Sequence, residues 1–533
     1  MPTQFNEHHF DSVESGGVNI NKLTMGGHLT NSEQKRITDI RTAWNFYEGY
    51  HWEGIDDEDS PQITYNYVRP FVNKFVSFEF GEGFTINTLR SIENTGVTLD
   101  DKKLQEEYDT DNDGVISSEE ADHAVEKTTR EFLEQVWEQN NLPELCTEMG
   151  QTKSITGDAW VKVSYTDPED IEHDPFEEYE KGCISITVVP TQYVFPQYSQ
   201  HDRKKLESVL IMYPVQTEKQ TGILRRRNEL VTRLYKEYWT ADEVVTFIDD
   251  EEQERYANPY EIIPIIQIKN FPVAGRSYGC GDIEDLIPLN AEYNYKKSDV
   301  SEIIDYHSAP ITLVFGSKVG NLEKGANKVW GGLPKDGRVE NLGLNGELGA
   351  ANDYLQELKS CMCEIGGVPE GSLGGTQRIS NTSGVALHYN NLPLIDRVNI
   401  KRNSTEKGLT LVNKLILHIA LVEGLIEKPE GISRKDFLYN EVHLPDTLPK
   451  DKLVLLQEIE WEMRLGMECR HGAMQRLGIK DPESKIREVD RERELYPDLF
   501  GLESSANSLN TNADGGVKKT NSGFLNGEGL EDE

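Results

Sequence analysis

Ala351, Leu355, Leu358, Met362 and Ile365 recur at steps of 4, 3, 4 and 3. That spacing lines one side of a helix with apolar groups and reads as a helix–helix packing seam. Two further helical segments flank it. Upstream, Asp282–His307 sets Leu286, Leu289, Tyr293, Val300, Ile303 and His307 along one side, with Pro288 as a kink or a start. Downstream, a helix from about Pro393 to Val422 carries Ile395, Val398, Val412, Ile416 and Ile419 on one face. Between the first two helices, residues 308–345 are glycine-broken and β-like. After the seam comes a Gly/Ser/Thr-rich loop, Gly366–Gly384.

The N-terminal half mixes both periods. Residues 1–30 are rich in Gly, Asn and His and are expected to be poorly ordered. Ser32 is a good N-cap, and Ile37, Ile40, Trp44 and Tyr47 predict a helix to about Gly49. Val68, Val72, Phe75 and Val76 predict a short helix; the alternating Phe78, Phe80 and Phe84 then predict an extended segment. A helix is expected over Glu126–Asn140, and β structure over 158–270, where Ile184, Ile186 and Val188 alternate. Residues 447–496 predict three short helices, the last capped by Asp481 with Pro482 at its first position. The chain from Leu502 to Glu533 reads as a disordered tail. At 533 residues, three or four compact units are expected, with an α+β fold.

Charge narrows the function. With 55 Lys+Arg against 93 Asp+Glu the formal net charge is −38. A surface that holds nucleic acid tightly needs many cation–phosphate contacts, so such a protein is excluded; one that lets DNA slide past is not. Six cysteines without a C-x-x-C pair suit a reduced compartment, and Cys361 and Cys363 read as packing residues. The polar opening Met1–Asp11 gives no secretory signal, and Leu409–Ile426 is too interrupted by polar residues to span a membrane. There is no phosphate-binding G-x-x-x-x-G-K-[ST], no H-E-x-x-H and no G-x-S-x-G, so no catalytic residues are assigned and a non-enzyme is expected. Arg225–Arg227 reads as a surface turn between strands.

One motif is specific. Asp109 to Glu120 satisfies D-x-[DN]-x-[DN]-G-x5-E at every required position and resembles an EF-hand calcium loop. Asp109, Asp111 and Asp113 offer carboxylates, Gly114 turns the chain, and Val115 offers its carbonyl. Ser117 acts through water, and Glu120 closes the sphere with two oxygens. A structural Ca2+ is the expected cofactor. The segment fits one wrapped Ca2+ better than an open Mg2+ site of a nuclease. A calcium-binding structural or adhesion protein with helical spacers is the alternative reading of the whole chain.

The stretch Gly279–Gly316 resembles the portal proteins of tailed bacteriophages, in which G-x-x-D-I-E-x-x-I-P-L-x-x-x-Y-N opens the first helix of a channel stem. Further resemblances follow in order. Glu347–Gly367 with Val368-Pro369 looks like the second stem helix, and Ser383–Leu387 matches S-G-x-A-L. Upstream, Asn45–Tyr50, Ile63–Asn66 and Phe80–Phe84 match the family's N-terminal region. Trp137–Asn141 is similar to its W-x-x-N-N helix, and Thr156–Trp160 to its G-x-A-W turn. The calcium-type loop departs from the family as an insertion.

The resemblance implies a homo-oligomeric ring, typically of twelve copies, at one capsid vertex of the virion, made in the host cytoplasm and free of membrane. Terminase large subunit, major capsid and scaffold proteins and a head-completion adaptor would be partners, and double-stranded DNA would pass without sequence specificity. It implies an α/β wing over 31–280 with the insertion at 97–125, and a two-helix stem at 281–307 and 347–367. Residues 308–346 would be a small β-containing clip, 368–384 the tunnel loop, 385–446 a long kinked helix and following segment, and 447–500 a helical crown. Gly371, Ser372, Leu373, Gly374, Gly375, Thr376, Gln377 and Arg378 would face DNA, with Lys401 and Arg402 as local cations. Lys318, Lys324, Lys328, Lys335 and Arg338 would dock partners at the clip.

Overall fold

The structure is a computed structural model. It describes residues 31–55, 61–81, 83–88, 118–169, 181–202, 205–221, 227–308, 311–315, 338–342, 348–374, 389–428, 433–444 and 452–477, with 479, 485–486, 489 and 491. The chain divides into two compact units, Met1–Thr447 and Leu448–Glu533, fewer than length alone suggests.

The first unit opens with α1 (Asn31–Glu48), which buries Ile40, Ala43, Phe46 and Tyr47 and ends where Gly49 takes φ +100°. An extended strap, 61–67, leads into α2 (Val68–Phe80). Asn66 Oδ1 caps this helix by accepting from the Arg69 N–H at 3.1 Å. Phe78 and Phe80 belong to α2 and not to an extended segment, because Phe80 continues the i+4 step from Val76 into the core. Strand β1 (Thr85–Asn87) begins only after the turn at Gly81.

Helix α3 (Ser118–Gln139) starts eight residues before the expected Glu126. It is separated from α4 (Leu142–Thr156) by Asn140 and Asn141, the latter at φ +55°, a left-handed conformation asparagine tolerates. The W-x-x-N-N residues are bonding residues. The Trp137 indole N–H donates to Asn413 Oδ1 at 2.7 Å. Asn140 donates to the Ile184 carbonyl and accepts from the Ile186 N–H, both at 2.8 Å.

The β-rich expectation for 158–270 is met by eight strands. They are β2 (Asp158–Thr166), β3 (Cys183–Val189), β4 (Val194–Tyr198), β5 (Leu206–Thr221), β6 (Arg227–Thr240), β7 (Glu243–Ile248), β8 (Glu251–Ala257) and β9 (Ile265–Lys269). One antiparallel sheet has order β3-β2-β9; the other is the five-stranded meander β4-β5-β6-β7-β8. The period of two along β2 sorts its side chains into two cores. Ala159, Val161 and Val163 join the helical core, while Trp160 packs with Val209, Trp239 and Val244.

Then come α5 (Leu286–Ser308), β10 (Ile311–Phe315), β11 (Arg338–Leu342), α6 (Leu348–Gly366), α7 (Leu392–Val422), the one-turn α8 (Arg434–Phe437) and β12 (Glu441–His443). Strand β10 pairs with β11 and β12 with β1, all antiparallel. At 31 residues α7 runs about 46 Å. It buries Val398, Val412, Ile416 and Ile419, and lies so close to β9 that a Cβ on Gly408 would come within 2.6 Å of Ile268. Arg227, expected in a turn, opens β6 opposite Thr221, while Arg225 and Arg226 lie outside the described residues.

In the second unit, α9 (Lys452–Arg464) and α10 (Arg470–Arg476) bury Ile459 and Ala473, and Arg476 pairs with Glu462 and Glu468. Of the third helix expected there, from Asp481, only 485–486, 489 and 491 are described, and these are helical; residues 1–30 and the tail beyond Leu502 lie outside the described residues.

Candidate functional site

Helices α5 and α6 pack along the seam with α2 and the start of α7. Leu286, Tyr293 and Val300 meet Leu355, Leu358, Met362, Phe71, Phe75, Leu394 and Val398 in one core. Two expected seam residues, Ile303 and Ile365, are exposed. At the end of α6 the stripe steps from Met362 to Gly366, not Ile365: Phe71 lies where a Cβ on Gly366 would sit, at 2.4 Å. The side chain of His307 lies outside the described set. Cys361 and Cys363 are free thiols, and burial raises the pKa of Cys363.

A polar ladder holds the other side of α5. Asn290, Asn294 and Ser298 recur every four residues and bond the strap 61–67 as a neighbouring strand would. Their side chains accept from the N–H groups of Tyr67, Tyr65 and Ile63 at 3.0, 3.0 and 3.1 Å, and Asn290 also donates to the Tyr65 carbonyl at 2.8 Å. Asn294 donates to His51 Nδ1 at 2.6 Å, while His51 Nε2 donates to the Phe46 carbonyl at 2.9 Å. Those partners require the neutral Nε2–H tautomer. Burial lowers the His51 pKa, against the Phe46 hydrogen bond that raises it.

The turn before α5 meets the turn before β2 through glycines. A Cβ on Gly157 would lie 2.6 Å from the Gly279 carbonyl oxygen, one on Gly279 2.3 Å from that of Gly157, and one on Gly281 2.8 Å from that of Ile155. Gly157 also needs φ +92°. Backbones approaching this closely bond directly: the Asp282 N–H donates to the Ser154 carbonyl at 2.7 Å and the Asn270 N–H to that of Gly157 at 2.8 Å. Asp158 clamps the Gly279 N–H with both carboxylate oxygens, at 3.1 and 3.0 Å, and burial pushes its pKa up to about 6.

Beneath this crossing lies a buried ionic cluster. Glu79 of α2, Lys153 of α4, Asp282 and Lys401 of α7 have no side-chain exposure. Lys401 Nζ donates to Asp282 Oδ2 at 2.7 Å and to Ser154 Oγ at 3.0 Å, and stands 3.5 Å from Glu79 Oε2. Lys153 pairs with Glu79, and Thr405 donates to Glu79 at 2.7 Å. Arg397 donates to Asp282 Oδ1 at 3.1 Å from the rim. Burial works to raise both carboxyls, but the lysines outweigh it: Glu79 is lowered by Lys153 and Lys401, Asp282 by Lys401 and Arg397. Burial takes Lys153 down to about 8, opposed by Glu79.

This placement corrects one expectation. Lys401, read as a cation facing DNA, is sealed in the core because Asp282 and Glu79 require a counter-charge there. Arg402 is half-buried and donates to the carbonyls of Phe78 and Glu79 at 3.2 and 3.3 Å, satisfying the C-terminal end of α2. Glu79, Lys153, Ser154 and Thr405 were not singled out from sequence. The legible signal is a charge inside an apolar helix face, such as Glu79 between Val76 and Phe80.

Of the residues expected in a DNA-facing loop, Gly371, Ser372 and Leu373 form a short 3-10 turn (Glu370–Leu373) after α6, closed by Gly374 at φ +88°. Ser372 Oγ donates at 2.6 Å to Oδ1 of Asn391, the residue before α7, so the ends of this loop are tied together. Gly375, Thr376, Gln377 and Arg378 lie outside the described residues, as do Lys318, Lys324, Lys328 and Lys335; Arg338 opens β11. Asp109, Asp111, Asp113, Val115 and Ser117 also lie outside them, and Glu120 is placed on α3. Among the described residues, no group of His, Cys, Asp and Glu is arranged to hold a metal ion.

The G-x-x-D turn, the N-x3-N-x3-S helix face and the G-x-A-W turn are thus one physical junction. The family model for phage portal protein, SPP1 Gp6-like, matches residues 27–496. The chain belongs to the phage portal protein family. No curated protein matches it. The match spans α5, α6 and the junction of this portal chain, and no described helix is long and apolar enough to cross a membrane.

Two outcomes follow for the junction. Lys401→Met leaves Asp282 and Glu79 buried with fewer counter-charges and is expected to cost about 3–5 kcal/mol in urea unfolding. Lys401→Met with Asp282→Asn is expected to cost less than the two single changes summed; simple additivity would show that the charges are not coupled. The lowered His51 pKa means the unfolded chain takes up the proton first, so the neutral imidazole stabilises above pH 6.5 and that contribution is lost as pH falls through the folded value. The stability difference between wild type and His51→Gln should therefore shrink between pH 7 and pH 5; a constant difference would exclude a neutral His51 at the ladder.

Proposed function

We propose that copies of this chain close into a ring, with twelve as the expected number, around an axial channel at one capsid vertex of a phage virion. Double-stranded DNA passes through that channel on packaging and ejection. The observation that carries the reading is the family match over 27–496. The net charge of −38 supports it physically. A basic wall would hold phosphates through counterion release, whereas an acidic one repels the duplex and lets it move.

In this reading α5 and α6 are the stem, and residues 308–346 the clip that meets the terminase large subunit and later the head-completion adaptor. The loop within 368–384 faces DNA, with Arg378 as its local cation; 447–500 is the crown, and scaffold and major capsid proteins surround the ring. The tie between Ser372 and Asn391 supports a loop held at its roots, with α6 and α7 as rigid posts. The protein performs no reaction of its own; force comes from a separate motor.

The loop Asp109–Glu120 binds one structural Ca2+ in this proposal. Its support is the ligand spacing, together with α3 beginning at Ser118, which carries the last ligand on a helix as a helix–loop–helix site requires.

Negative-stain images of the purified protein are expected to show rings with a central hole, and deletion of Ser372–Gly375 should leave the rings intact while lowering the DNA packaged. A stable monomer would overturn the ring, and normal packaging by the deletion would remove the loop from the mechanism. Calorimetric titration should give about one Ca2+ per chain for wild type and none for Asp109→Ala; equal traces would dismiss the calcium site.

A further inference from the structure

Two buried carboxylates grip the turn 279–282, and they carry charge on different terms. At Asp282 burial is outweighed by Lys401 and Arg397, which lower its pKa. Asp158, at the start of β2, is 1 % exposed and has no ion pair among the described residues. Its oxygens accept from neutral donors: the Gly279 N–H reaches both, and Gln267 Nε2 reaches Oδ1 at 2.8 Å. Tyr198 donates to Gln267 Oε1 at 2.7 Å, which turns the amide N–H groups toward Asp158 and the Ser277 carbonyl.

The remaining groups around this carboxylate do not neutralise it. Lys269 stands opposite Asp158 on β9 and Arg36 reaches in from α1, and both favour the ionised form. Arg36 is committed to the carbonyls of Thr191 and Val194 at 3.1 and 2.9 Å. Burial raises the pKa of Tyr198 on β4 and of Tyr278 in the approach to the turn, so both stay neutral; Glu33 of α1 faces Tyr278. The Thr156 and Thr191 hydroxyls serve the Asp158 backbone carbonyl, not its side chain. Burial therefore prevails at the carboxyl and carries its pKa from 3.8 to about 6. The folded value lies above the unfolded one, so the closed junction takes up the proton first. The neutral carboxyl favours closure, and that contribution is lost as pH rises through about 6. Among the contacts described, Gly279 alone bonds to Oδ2, and residues 274–276 before the turn are exposed, so lifting the turn brings water to the charge.

We propose that Asp158 is a proton-operated clasp at the root of α5: neutral, it lets the 279–282 turn close on the start of β2, and ionised, it favours opening of that turn to water. The proton comes from solvent and enters at Oδ2, which holds one hydrogen bond, while Oδ1 keeps Gln267 and Gly279. The glycine crossing supplies the moving part. Gly157 and Gly279 bring two backbones together with no side chain between them, and the Asp282–Lys401 pair holds the far end of the turn. The clasp belongs to a single chain and stands apart from the ring reading.

The test is amide hydrogen exchange by mass spectrometry on the full chain between pH 5 and pH 7.5, with intrinsic exchange rates divided out. In wild type, the opening constant of a peptide covering 277–285 is expected to be about tenfold larger at pH 7 than at pH 5, levelling off above about pH 6. A peptide covering 409–420 in α7 should not follow it. His51 titrates with the opposite sign and loosens its surroundings as pH falls, so it cannot imitate this rise. Asp158→Asn should flatten the profile, and Lys269→Met, which removes a facing cation, should move the plateau to higher pH. A flat wild-type profile, an unchanged slope in Asp158→Asn, or a slope shared by the α7 peptide would overturn the clasp. Should Asp158→Asn fail to fold, Lys269→Met decides, and an unmoved plateau overturns it.

Discussion

Four charges without solvent hold the first unit in register. Glu79, Lys153, Asp282 and Lys401 come from segments far apart in sequence, and each is stabilised only while the others are in place. Water competes for none of them, so the unpaired state of any one costs far more than an exposed ion pair would. We read the cluster as a specifier: it ties the end of α2, the end of α4, the turn before α5 and the middle of α7 to one arrangement. Apolar packing of the same volume would stabilise as well and discriminate less.

Around that cluster, the backbone does what side chains do elsewhere. Gly157, Gly279 and Gly281 let two turns approach until their peptide groups bond, and any Cβ there would strike a carbonyl oxygen. Asn290, Asn294 and Ser298 satisfy a strap that has no strand beside it among the described residues, so a helix face completes the hydrogen bonds of an extended segment. The root of α5 is therefore fixed by directional bonds on one side and by the apolar seam with α6 on the other.

The acidic composition has a consequence for where cations are spent. Lys153 and Lys401 are buried, Arg397 and Arg402 serve carboxylates and carbonyls at the junction, and Arg476 gathers glutamates in the second unit. Each of these cations answers a carboxylate or a carbonyl of the chain itself.

Much of the architecture was legible in the residues because it rests on periodicity. The 4, 3, 4, 3 stripe at Ala351–Ile365, the alternation at Ile184–Val188 and the long apolar face of Pro393–Val422 each report a local period, and each became the helix or strand it implied. Phe78 and Phe80 misled because a run of aromatic residues satisfies both periods over so short a span. The portal motifs could be read as letters, but not as a contact between G-x-x-D and G-x-A-W. The role of Lys401 was beyond reach for the same reason: a lysine on a helix says nothing of which carboxylates the fold will bury beside it. Sequence alone thus determined the elements, the charge and the family pattern, since these depend on neighbours along the chain. Tertiary structure alone decided which charges are hidden, because the partners of Glu79, Lys153, Asp282 and Lys401 lie far away along the chain.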